Sequence, residues 1–137
     1  MAANSSAANR FSQLAIAIIA GLLAVRIVLA LFSPLELYAD EAQYWRWGES
    51  LEWGHYSKPP MIAWMIHASS GFLGDSEWAI RFLAPVFHAI ASVFLFLLSR
   101  RMFGNLAGLF TTVTYHLMPG IILSSGVISP DGVLFPF

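Results

Sequence analysis

The feature that most constrains this chain is an apolar run over residues 14–32, in which Arg26 is the one charged residue. As a helix, this run would be about 28 Å long, which is enough to cross the hydrocarbon core of a bilayer. It is also longer than the apolar core of about 7–15 residues in a signal peptide, and no small-residue cleavage pattern follows it. We therefore expect a retained membrane anchor.

The composition of the whole chain also indicates a membrane protein. Of its 137 residues, 58% are apolar and 11% are charged, whereas a soluble domain carries about 25% charged residues. The chain has no cysteine, which excludes disulfides and thiolate metal sites. Its net charge of −1 gives no electrostatic basis for binding nucleic acid. We expect one membrane domain whose partner is the lipid bilayer.

Two further apolar segments, residues 78–98 and 106–123, predict a second and a third transmembrane helix. The apolar stretch over residues 61–73 is too short to span, and the two prolines before it suit the start of a helix. The sequence therefore predicts an all-α fold of polytopic transmembrane helices, with an outer loop over residues 33–77.

The charges orient these spans. Arg100 and Arg101 form a short basic turn, and the positive-inside rule places that turn in the cytoplasm together with Arg10. The outer loop and the segment after the third span then lie on the opposite side. All acidic residues of the chain fall there: Glu36, Asp40, Glu41, Glu49, Glu52, Asp75, Glu77 and Asp131.

The densest group of polar and aromatic residues directly follows the first span. Asp40 suits the first turn of a helix, where its carboxylate can accept backbone N–H bonds. Tyr44 is one turn further on the same face, and Glu41 lies beside Asp40. Helix capping and an aromatic belt at the membrane interface explain this pattern as well as a catalytic site does.

Two other groups lie on the same side of the membrane. Lys58 is the one lysine of the chain and precedes the short helix, so its ammonium and the free helical N–H groups could hold a phosphate, or the lysine could meet lipid headgroups. His55 could be a base, a metal ligand or a surface residue. Asp131 lies in a Ser-Pro-Asp-Gly sequence that is typical of a turn.

Taken in order, these motifs resemble a known family. They are DEAQYW at residues 40–45, GHYSKPPMIAW at 54–64, EWAIRFL at 77–83, RRMFG at 100–104 and SPDGVL at 129–134. This set is similar to the first outer loop and following spans of GT-C glycosyltransferases of the dolichyl-phosphate-mannose protein mannosyltransferase-like branch. That branch includes the bacterial aminoarabinose transferases that modify lipid A.

The resemblance implies a transferase that takes a sugar from a polyprenyl-phosphate donor and passes it to a lipid, glycan or protein acceptor on the non-cytoplasmic side. Asp40 matches the catalytic aspartate of the family, with Glu41 beside it, and Lys58 matches the lysine that binds the donor phosphate. Candidates for further substrate contacts are Tyr44, His55 and Asp131.

The resemblance also implies two juxtamembrane helices, over residues 40–51 and 59–73. Ser57 stands where some relatives have an acidic residue, so a divalent metal stays open and none is assigned. The relatives suggest a bacterial inner membrane with residues 33–77 in the periplasm. Because such enzymes have many more spans, we expect the chain to be the N-terminal part of a longer enzyme.

Two other function classes compete with the transferase. The short length suits a small non-catalytic multi-span membrane subunit. A transporter is a third alternative, because Arg26, Arg81 and several histidines lie within apolar helices, where ionisable residues often mark a substrate pathway.

Overall fold

The computed structural model describes residues 2–54, 58–134 and 136, with side chains from residue 9 onward. Every regular secondary-structure element in these ranges is an α-helix, which confirms the predicted all-α class. The helices are α1 (Ala2–Leu31), α2 (Ala39–Gly48), α3 (Met61–Leu73), α4 (Glu77–Arg81), α5 (Leu83–Phe103), α6 (Asn105–Leu117), α7 (Pro119–Ser124) and α8 (Pro130–Leu134).

Two stretches of the described residues are long and apolar enough to cross a membrane. The most apolar 18 residues of Asn9–Leu31, within α1, have a mean hydropathy of 2.8, and those of Glu77–Phe103, which covers α4 and α5, have one of 2.1. Many apolar side chains of α1 are exposed, and Leu29 is 65% accessible. Such a surface is expected of a helix in contact with lipid. The two stretches coincide with the first two predicted spans.

The third predicted span, residues 106–123, is not one continuous helix. Helix α6 ends at Leu117, Met118 has an extended backbone with ψ of 127°, and α7 begins at Pro119. A proline disfavours helical dihedrals in the residue before it but suits the first position of a new helix. The break at Met118 therefore follows directly from Pro119. That this segment crosses the membrane stays a prediction.

Helices α1, α5 and α6 pack against one another and form the apolar bundle. Helix α6 lies close to α5 at Gly108, where a Cβ atom would be 3.0 Å from the ring of Phe96. The residues that follow α1 reach α4, because Arg81 Nη1 donates a hydrogen bond of 2.9 Å to the carbonyl oxygen of Leu35. The C-terminal end of α1 therefore lies beside the start of α4–α5, and the two stretches run antiparallel.

Helices α2 and α3 pack on each other at this end of the bundle. They meet closely at Gly48, where a Cβ atom would lie 3.0 Å from the carbonyl oxygen of Ala63. The two helices correspond to those expected over residues 40–51 and 59–73. Their position on a membrane surface stays a prediction.

A small hydrophobic core joins the outer helices to the bundle. Tyr44 of α2, Ile62 and Ile66 of α3, Ile80 of α4 and Val133 of α8 are buried in one cluster. Residues far apart in the sequence are thus held together at one end of the bundle. The candidate site described below lies at this end.

Candidate active site

A buried ion pair lies under the start of α2. Glu41 is 0% exposed and Arg81 is 3% exposed. The guanidinium binds the carboxylate at two points, with Nη2 to Oε2 at 2.6 Å and Nε to Oε1 at 3.0 Å. Two parallel N–H···O bonds of this kind fix the relative orientation of both side chains.

The remaining hydrogen-bonding capacity of both partners is used on the backbone. Arg81 also donates to the carbonyl oxygens of Leu35 and Glu36, at 2.9 and 2.8 Å. Glu41 accepts the backbone N–H of Tyr38 at 3.1 Å and that of Ile128 at 3.0 Å. Extensive hydrogen bonding of this kind is the condition under which two charges can be buried at tolerable cost.

Through these bonds one pair fastens three separate segments. The residues between α1 and α2, helix α4, and the loop between α7 and α8 all meet at Glu41 and Arg81. Because the α7–α8 loop leads directly into α8, its attachment fixes where the first turn of α8 stands relative to α2. The ion pair therefore sets the two sides of the space between these helices.

That space is an open cleft of about 650 Å³. One side is formed by the start of α2 and the other by the α7–α8 loop and the start of α8, with Lys58 at the edge that leads to α3. Its polar lining residues include Asp40, Lys58, Ser129 and Asp131. Asp40, Lys58 and Asp131 are exposed, so two carboxylates and one ammonium face the same solvent-filled space.

The structure places most of the predicted site residues at this cleft. Asp40, Tyr44, Lys58 and Asp131 all line it, although they come from three separate parts of the chain. The ring of Tyr44 is buried in the core beneath the cleft. His55 lies outside the described residues.

The predicted catalytic pair is divided between two environments. Asp40 is exposed on the wall of the cleft, whereas Glu41, its neighbour, has no exposed surface and is bonded to Arg81. Sequence reasoning did not identify Arg81 as the partner of Glu41. A signal was present, since an arginine at the edge of an apolar helix usually requires a buried acidic partner.

No metal site is formed by the described residues. In ranges 2–54 and 58–134, no three His, Asp or Glu side chains come together in an arrangement that could hold a metal ion. As in the sequence analysis, no divalent metal is assigned.

Comparison with known proteins adds an independent finding. Residues 57–137, more than half of the chain, match the family described as dolichyl-phosphate-mannose-protein mannosyltransferase. The chain belongs to this family. It is also 39% identical over 121 residues to the lipid A galacturonosyltransferase RgtD of Rhizobium johnstonii. No solved structure gives a significant match.

The match to RgtD covers most of this chain but only a small part of the relative. The aligned segment covers 88% of this chain but 26% of RgtD, so the chain spans only that share of the relative it matches. Membership of the mannosyltransferase family confirms the family predicted from the motifs. Together with the two apolar helical stretches, it places the protein in a membrane.

We expect Glu41→Gln to destabilise this family member strongly. The substitution leaves the guanidinium of Arg81 buried without a counter-charge, which costs roughly 3–5 kcal/mol when one partner of a buried pair is removed. The measurement is thermal unfolding in detergent. Glu49→Gln is the matched control, because Glu49 is an exposed acid at the end of the same helix.

The double variant Glu41→Gln/Arg81→Met tests whether the loss of stability comes from the unpaired charge of Arg81. Removing both partners leaves no unpaired charge, so its loss of stability should be smaller than the sum of the two single losses. Losses that simply add would contradict direct coupling between the two side chains.

Proposed function

We propose that this protein is the cleft-bearing part of a membrane glycosyltransferase that transfers a sugar from a polyprenyl-phosphate donor to an acceptor on the non-cytoplasmic side. The observation that carries the proposal is that Asp40, Lys58 and Asp131 line one open cleft at the end of an apolar bundle. Membership of the mannosyltransferase family supports the reaction class.

Asp40 is assigned the role of general base. Its exposed carboxylate can accept the proton of an acceptor hydroxyl while the hydroxyl oxygen attacks the anomeric carbon of the donor sugar. A bond forms between that oxygen and carbon, and the bond between the carbon and the phosphate oxygen breaks. The proton goes to Asp40, and the polyprenyl phosphate leaves with the bonding electron pair.

Lys58 is assigned to the phosphate of the donor. The leaving group gains negative charge as the bond breaks, and an ammonium placed there stabilises that charge. Helix α3 begins at Met61, three positions after Lys58, and the first N–H groups of a helix have no intrahelical acceptor. Lysine and helix start therefore offer positive potential at the same edge of the cleft.

Asp131 and Ser129 stand on the opposite wall, where they can accept or donate hydrogen bonds to sugar or acceptor hydroxyls. Glu41 is assigned a positioning role, because its carboxylate is fully used by Arg81 and backbone N–H groups. Tyr44 supports the wall from the core. His55, near Lys58 in the sequence, stays a candidate for substrate contact.

The acceptor class follows from the relative. RgtD is named a lipid A galacturonosyltransferase, and we propose a lipid of this type as the acceptor to be tested before glycan or protein acceptors. An acceptor held in the membrane would reach the cleft from the same side as the donor phosphate.

The orientation of the protein follows from its charges. Arg100 and Arg101 end α5, while the cleft lies at the start of α4–α5, so the two are at opposite ends of the bundle. The positive-inside rule then puts the basic end in the cytoplasm. We propose a bacterial inner membrane with the cleft facing the periplasm.

The two competing classes have less support. Family membership does not favour a small non-catalytic subunit. The arginines that suggested a transporter each have a partner within the protein, Arg81 with Glu41 and Arg26 with His116.

We expect Asp40→Asn to reduce transfer in the intact protein by roughly 10²–10⁴-fold, because an amide cannot accept the proton. Thermal unfolding and membrane insertion should not change, in contrast to Glu41→Gln. The assay is sugar transfer from a polyprenyl-phosphate donor, with Glu49→Gln as the control. Transfer near the unsubstituted rate would remove Asp40 from the base role.

Lys58→Ala should weaken donor binding, since the phosphate loses a charge-assisted hydrogen bond. The expected rise in the KM for the donor is about 10-fold or more. Lys58→Arg should restore most of the affinity, and Arg46→Ala, on α2 outside the lining of the cleft, is the control. An unchanged KM for the donor in Lys58→Ala would show that the phosphate binds elsewhere.

The orientation can be tested with single cysteines, because the chain has none of its own. Glu49→Cys, an exposed position at the end of α2, should react with a membrane-impermeant maleimide added to intact spheroplasts. Asn9→Cys, at the other end of the bundle, should react only after the membrane is opened. The reverse pattern would place the cleft in the cytoplasm.

A further inference from the structure

Arg26 carries a charge into the apolar bundle. It lies on α1, within the stretch Asn9–Leu31 that is apolar enough to cross a membrane. Its Nη1 atom is 3.1 Å from Nδ1 of His116 on α6. This bond joins two helices of the bundle, but it supplies no negative charge.

The bond to Arg26 determines which ring nitrogen of His116 carries the hydrogen. A guanidinium can only donate hydrogen bonds, so Nδ1 of His116 must be the acceptor, and a neutral ring then carries its hydrogen on Nε2. His116 is 5% exposed, and within the described part of the chain its Nε2 atom has no hydrogen-bond partner. The Nε2 atom of His116 is enclosed within the fold, whereas Arg26 is only half-buried, so the guanidinium is the donor that a further acceptor could reach.

No acid of this chain fills that role. All eight acidic residues fall in the described ranges, and none of them is paired with Arg26. Glu41, the buried one, is bonded to Arg81. An arginine within a membrane helix is costly unless it is paired or reaches water, and such residues usually face other helices.

Inside the bundle the His116 ring contacts Tyr115, whose hydroxyl is bonded to His88, while apolar side chains close to the pair in the sequence are exposed. Leu29 on α1 and Leu117 on α6 are 65% and 68% exposed, and Val25 beside Arg26 is more than half exposed. Arg26 is also five residues before the end of α1, about 7–8 Å below it at 1.5 Å per residue. Exposed apolar side chains near Arg26 on α1 suit a contact with a further membrane helix.

We propose that Arg26 is the docking point for a further transmembrane helix of the intact protein that bears an Asp or Glu within its apolar stretch. Charge complementarity and the exposed apolar side chains near Arg26 favour this occupant. Most of the length of RgtD lies outside the segment matched by this chain, so a longer family member has room for such a helix. The contact concerns assembly of the membrane domain and is independent of the transfer reaction.

The test is thermal unfolding of the intact protein in maltoside micelles, which contain no phosphate. Arg26→Met should lower Tm by at least about 4 °C, because the carboxylate of the docked helix would be left buried and unpaired. Arg26→Lys keeps the charge and should recover most of the loss. Arg46→Met, an exposed arginine on α2, is the control and should leave Tm unchanged.

Two outcomes would overturn the proposal. An unchanged or raised Tm in Arg26→Met would show that no carboxylate depends on Arg26. A loss that occurs only after phospholipid is added would identify a lipid headgroup as the acceptor instead of a helix.

A second measurement identifies the helix itself. Each membrane-embedded Asp or Glu of the intact protein is changed to its amide, alone and together with Arg26→Met. One carboxylate should show a combined loss well below the sum of the single losses. Should Arg26→Met fail to fold, the same cycle is run with Arg26→Gln, which also removes the charge. Additive losses at every carboxylate would reject the contact.

Discussion

The rest of the structure depends on the buried contact between Glu41 and Arg81. It joins the start of α2, helix α4 and the loop before α8, which are distant in the sequence. The pair is stable in its site because nearly every donor and acceptor of both side chains is used. Together with the hydrophobic core that contains Tyr44 and Val133, this contact holds Asp40 and Asp131 on facing walls of one cleft. The charge pair thus serves the site indirectly, through the backbone that it fixes.

Arg81 and Arg26 both place a guanidinium charge in an apolar region, and each has a different kind of partner. Arg81 meets a carboxylate from the same chain, and the resulting pair becomes the anchor of the site. Arg26 meets a neutral histidine, which satisfies one N–H but leaves its charge without a counter-ion. In a low-dielectric environment the free energy of a paired charge differs strongly from that of an unpaired one. Arg81 therefore stabilises the described fold through its ion pair, whereas Arg26 leaves a charge that a further helix could neutralise.

The site shows where sequence reasoning succeeds and where it stops. Asp40, Lys58 and Asp131 could be selected because their motifs are readable from the chain and the predicted topology puts all three on one side of the membrane. Glu41 could not be separated from Asp40, since adjacent acids at a helix start differ only in the direction their side chains take around the axis. That direction is decided by the position of Arg81, 40 residues away. The break at Met118 was readable in principle, because Pro119 encodes it locally.

The sequence by itself determined the fold class, the two long apolar stretches and the family. These properties are set by composition, periodicity and short motifs, all of which are local. Only the tertiary structure decided which acid faces the cleft, which is buried, and that Lys58 and Asp131 share one space with Asp40. The physical reason is that burial and ion pairing depend on contacts between distant segments, and these contacts exist only once the helices have packed.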